Sequence, residues 1–118
     1  MPKDMIQPQG EIILYQPDET IRLEVRMEDD TVWLNQAQMG ELFNATKQNI
    51  SLHIKNIYDE GELEELATVK DYLTVRKEGN RNVRRHVNYY NLDVILAVGY
   101  RVTSKTATEF RKWATNDL

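Results

Sequence analysis

In the run Thr46-Lys47-Gln48-Asn49-Ile50-Ser51-Leu52-His53-Ile54-Lys55-Asn56-Ile57, amides, two hydroxyls and two amines are interspersed with isoleucines. At helical spacing Ile50, Ile54 and Ile57 fall on one side with Tyr58 at its edge, which leaves Gln48, Asn49, Leu52, Lys55 and Asn56 roughly opposite. A side-chain amide can pair through both its atoms with the edge of adenine, an amine with guanine or a phosphate, and an exposed leucine with a thymine methyl. Lys47 and Ser51 stand at the N-terminal end, where base edges are met. A second group, Arg76, Lys77, Arg81, Arg84 and Arg85, shares residues 76–86 with Glu78 as their one acid, a net charge of +4. A polyanion is its natural partner, with contacts that weaken as salt rises.

Holding these two groups side by side takes two helices and a ribbon. Asn35 and Gln38 form a capping box, with Leu34 and Met39 as a hydrophobic staple, which predicts a helix from about Gln36 to Phe43. Asn44-Ala45-Thr46 is a three-residue connection, and Thr46 caps a second helix from about Lys47 to Glu60. Ala67 to Lys77 and Val83 to Asn91 then read as strands around Glu78–Asn82. A register with Lys77 facing Val83 gathers Val69, Leu73, Val75, Val83, Val87 and Tyr89 on one face. It also sets Arg76 directly across from Arg84, a repulsion that bound phosphate would relieve.

Upstream, Glu11–Gln16 and Ile21–Met27 read as a hairpin around Pro17–Thr20, with Thr31–Leu34 a short third strand or an extended lead-in. Downstream, Asn91 caps an apolar helix from Leu92 to about Val98 that Gly99 interrupts or ends. Thr106 and Glu109 open a last helix carrying Ala107, Phe110, Trp113 and Ala114 on one stripe. The order predicts an α+β fold, a winged helix-turn-helix with an additional N-terminal β-hairpin and C-terminal helices, as one domain over residues 1–118.

Composition agrees with one domain: 118 residues, 41% apolar and 29% charged. The absence of cysteine excludes a disulfide scaffold and thiolate metal sites, and no apolar run approaches the ~20 residues that span a bilayer. Met1–Gln7 lacks the apolar stretch of a signal peptide, so no membrane partner and a cytoplasmic location are expected. The overall charge of −4 hides a segregation, with a net −6 over residues 1–45 and a net +2 over residues 46–118. The two histidines, His53 and His86, have no ligand spacing. Glu60, Glu62, Glu64 and Glu65 read as a solvated loop. The five glycines are too scattered to cradle a phosphate. No enzyme activity, cofactor or metal is expected.

Glu11–Tyr15, Trp33–Phe43, Thr46–Ile57, Glu60–Glu64 and Tyr90–Val102 together resemble the RhuM family of bacterial proteins, named from a virulence island. The resemblance implies DNA binding, and the greater length usual in that family implies that this chain is the N-terminal part of a longer protein. The stretch Phe110-Arg-Lys-Trp-Ala114 is similar to the end of phage antirepressor Bro-type N-terminal domains, which are credited with DNA binding.

The expected partner is therefore double-stranded DNA, with a role in transcription regulation. Base reading is assigned to Gln48, Asn49, Ser51 and Leu52, and phosphate contact to Lys47, Lys55, Lys77, Arg81, Arg84 and Arg85. A homodimer is expected if the stripe through Phe110 and Trp113 is exposed. The alternative is a protein-interaction module without DNA binding, in which the acidic residues 59–65 or the last helix dock a partner.

Overall fold

The computed structural model describes residues 10–116 and residue 118, so the expectation drawn from Met1–Gln7 lies outside it. The fold is α+β, with five antiparallel strands and five helices among the described residues. In chain order they are β1 (Glu11–Tyr15), β2 (Leu23–Glu28), β3 (Thr31–Asn35), α1 (Gln36–Phe43), α2 (Lys47–Asp59), α3 (Glu65–Thr68), β4 (Val69–Glu78), β5 (Arg81–Asn91), α4 (Leu92–Val102) and α5 (Ser104–Asn116). The strands form one sheet in the order β1-β2-β3-β5-β4.

Local chemistry sets most boundaries. Asp29 and Asp30 both adopt positive φ, 56° and 61°, between the paired residues Glu28 and Thr31. That is the backbone of a tight hairpin turn whose twist matches its strands, and aspartate tolerates it better than most residues. Asn35 caps α1 by accepting from the Gln38 amide at 2.9 Å, while the Gln38 side chain accepts from the Asn35 amide at 3.0 Å. Asn44, left-handed at φ 53°, ends α1. Thr46 caps α2 by accepting from the Asn49 amide at 3.1 Å.

One face of the sheet packs on the helices. Leu23, Val25, Val32, Leu34 and Tyr90 bury against Met39, Leu42, Phe43, Ile50, Ile54, Ile57, Val94, Ile95, Val98 and Phe110. The apolar side of α2 is therefore spent on the core, as its spacing required. Gly99 does not end α4, which runs three residues past it. A Cβ there would stand 2.6 Å from the Phe43 ring and 2.8 Å from the Ala107 Cβ, so its role is close packing between α1, α4 and α5. Phe110 is wholly buried and Trp113 lies 4.7 Å from the Tyr15 ring. Of the stripe on which the homodimer expectation rested, Phe110 lies inside the core while Trp113 is partly buried against Tyr15.

The register of β4 on β5 differs by one residue from the expected pairing: Lys77 faces Asn82, Arg76 faces Val83, and Leu73 faces His86. The cause is β3, which also pairs with β5 and sets Leu34 opposite Tyr90. Both belong to the core, so every even-numbered residue of β5 takes the helix side. Val83, Val87 and Tyr89 go to the other face, and the apolar positions of the hairpin are divided between its two sides.

On that other face Arg26, Trp33, Lys70, Tyr72 and Tyr89 meet. The Arg26 guanidinium lies 4.5 Å from the Tyr72 ring and 5.2 Å from the Tyr89 ring, and the Lys70 amine lies 4.9 Å from the Trp33 ring. Lys70 also pairs with Glu28 and Asp29, and the Tyr72 hydroxyl donates to Glu28 Oε1 at 2.7 Å. Burial alone would lower the Lys70 amine, but the two carboxylates outweigh it and hold the amine above its ordinary value. These contacts tie the root of β4 to β2 and β3, with which it shares no backbone ladder.

Candidate nucleic-acid interface

Because Ile50, Ile54 and Ile57 face inward, the opposite side of α2 is left to solvent. Lys47, Gln48, Asn49, Ser51, Leu52 and Lys55 are all exposed, Leu52 at 54%. Asn56 is only half exposed, and Lys55 pairs with Asp59 one turn on. The end of α2 is fixed by Arg101 of α4, which donates to Glu60 and Glu62 at 2.9 Å each. Those two carboxylates, expected to be solvated, hold the guanidinium pKa above its usual value.

The tip of the β4–β5 hairpin is narrower than expected. Glu78 pairs with Arg81, so Gly79 and Asn80 form the whole turn, and Gly79 has the positive φ of 63° that its first position requires. Arg84 stands opposite Val75 and Arg85 opposite Thr74. Arg76 and Arg84 consequently lie on opposite faces, and the expected head-on repulsion between them does not exist. Lys77 and Arg84 are diagonal neighbours on one face, while Arg81 and Arg85 are both diagonal to Arg76 on the other, at spacings of about 7–8 Å. Arg85 pairs with Glu78 at 3.1 Å. Among the described residues Lys47, Arg76, Lys77, Arg81 and Arg84 have no carboxylate partner.

Beyond Asn35 the chain leaves the sheet to begin α1, so residues 81–88 of β5 run with a free edge. A cleft of about 470 Å³ opens along that edge. Gln36 and Ala37 of α1, Lys47 of α2, and Arg76, Arg85 and His86 of the hairpin line it. A smaller cleft of about 260 Å³ follows, bordered by Gln36, Ser51, Lys55 and Tyr90. Lys47, Ser51, Lys55 and Arg85 of the expected site are thus brought to adjoining clefts. Gln48, Asn49 and Leu52 are open but line neither, as are Lys77, Arg81 and Arg84.

Gln36, Arg76 and His86 were not among the expected site residues. Gln36, the first residue of α1, donates to the Tyr90 hydroxyl at 3.3 Å, and His86 Nδ1 lies 3.0 Å from Asp71. The cleft follows the strand edge itself, so Arg85 and Val87 from one face of β5 and His86 and Asn88 from the other all border it.

The matched family covers the second half of this arrangement. Residues 67–118 match the Virulence protein RhuM family. That span holds the β4–β5 hairpin, α4 and α5, and includes the Tyr90–Val102 run on which the resemblance partly rested. The helix pair α1–α2 precedes it. No curated protein and no solved structure matches the chain.

Among the described residues, no helix is long and apolar enough to cross a membrane. No group of three or more His, Asp or Glu side chains among them is arranged to hold a metal ion.

Proposed function

We propose that this chain is a winged helix-turn-helix domain that binds duplex DNA in the control of transcription. It acts by binding rather than catalysis, without a cofactor. In this reading α2 enters the major groove with Gln48, Asn49, Ser51 and Leu52 toward the bases. The β4–β5 hairpin lies along the backbone, where Lys77, Arg81, Arg84 and Arg85 meet phosphates together with Lys47 and Lys55. One observation carries the reading. Lys47, in the first turn of α2, and Arg76 and Arg85, on the hairpin, line the same cleft at the free edge of β5, so cations of helix and hairpin border one recess.

The competing reading, a protein-interaction module, draws on Leu66, which is 91% exposed beside Glu62, Glu64 and Glu65. Anisotropy titrations against mixed-sequence duplex DNA at two salt concentrations separate the two. DNA binding that weakens steeply as salt rises supports the first. Negligible affinity at the lower salt overturns it and gives the lead to the second.

A further inference from the structure

Of five clefts on the described surface, four include an aspartate or glutamate in their lining. The cleft beside the free edge of β5 has none, in a chain whose acids outnumber its bases by 19 to 15. Lys47 and Arg76, which have no carboxylate partner among the described residues, border it together with Arg85, which pairs with Glu78 at 3.1 Å, and His86, whose Nδ1 lies 3.0 Å from Asp71. Gln36 and Ala37 are the first two residues of α1, whose backbone amides have no partner within the helix. The capping side chain of Asn35 is already committed to the Gln38 amide. Cations and free amide donors bordering a recess with no carboxylate in its lining have the chemistry of an oxyanion site.

We infer that this cleft is a phosphoryl-binding site held by Arg76, Lys47 and Arg85, with the first turn of α1 completing it. This rests on the DNA reading and deepens it: one backbone phosphodiester seats between helix and hairpin and fixes their register on the duplex. Arg76 becomes a binding residue, and the Arg85–Glu78 pair opens or bridges when the phosphate enters. The same chemistry accepts a phosphate carried by a small molecule, so the test separates the two sources.

The protein and its Arg76→Ala variant are titrated with inorganic phosphate and, separately, with a short mixed-sequence duplex, following the backbone amide resonances of Gln36, Ala37 and Lys47. Phosphate is expected to shift these three saturably in the wild type. The duplex is expected to move the same three, and Arg76→Ala to weaken phosphate by about tenfold, the cost of one charge-assisted contact. Arg76 is exposed and its removal leaves the core intact, so an unchanged spectrum elsewhere reports a folded variant. Shifts with phosphate but none with duplex uphold the cleft, assign it to a small phosphorylated ligand and overturn the DNA reading. Duplex binding at equal affinity in both proteins, with no phosphate response, overturns the cleft and leaves the DNA reading standing. Silence toward both probes overturns both.

Discussion

The Tyr72 hydroxyl donates to Glu28 Oε1 at 2.7 Å, joining the root of the β4–β5 hairpin to the end of β2 across two intervening strands. Arg26 on the Tyr72 ring and Lys70 on the Trp33 ring support the same junction. The direction in which the hairpin leaves the sheet is thus set at a partly buried polar cluster, well away from the exposed cations it carries.

That junction gives stability a characteristic alkaline dependence. Burial, then the hydrogen bond to Glu28, pushes the Tyr72 phenol from an ordinary 10.0 up to about 12. Below pH 10 both folded and unfolded chains keep the proton and nothing changes. Between about pH 10 and 12 the unfolded chain releases it first, so the contribution of Tyr72 to stability falls as pH rises. Melting temperature measured across this range is expected to fall less steeply in Tyr72→Phe than in the wild type. Equal slopes would show that Tyr72 titrates normally.

Glu78 restrains Arg85 within the hairpin. Replacing it by glutamine frees that guanidinium and removes a negative charge from the tip. Glu78→Gln is expected to bind duplex DNA more tightly at every sequence, with the gain fading as salt rises. A weaker complex in salt-matched anisotropy titrations would place Glu78 in the contact itself.

Gln48 and Asn49 are assigned to bases and not to backbone. Alanine at either position is expected to cost about 1–3 kcal/mol of discrimination at one base pair while leaving the salt dependence as it was. Competition among single-base variants of a selected site measures this. Unchanged preference in Gln48→Ala would remove Gln48 from the reading set.

Gly99 tests the packing beneath α1. A methyl group there meets Phe43 and Ala107 at 2.6–2.8 Å, so Gly99→Ala is expected to destabilise the fold by about 1–3 kcal/mol in denaturant unfolding, despite the better helix propensity of alanine. A more stable variant would mean that Phe43 has room to move.

The two helices that carry the candidate contacts were legible because their ends are chemical. Asn35, Gln38 and Thr46 announce where α1 and α2 begin, and three isoleucines choose the buried side. The hairpin misled for a physical reason: its own valines favour one pairing, while its parity is set by Tyr90, which joins Leu34 in the core through the neighbouring strand. That constraint is non-local and leaves no trace in the local pattern. Gly99 was misread in the same way, since Phe43 and Ala107 are distant in sequence. The cleft was hidden until the register was known, because it exists only where β3 gives way to α1 beside a free length of β5.

The central claim, that α2 and the hairpin grip one duplex together, is tested most directly by the slope of log affinity against log salt for wild type, Lys47→Ala, Arg84→Ala and the double variant. If both elements touch phosphates of the same duplex, each single variant flattens the slope by about 0.9 and the double by about 1.8. A slope that either single variant leaves at the wild-type value would contradict the account.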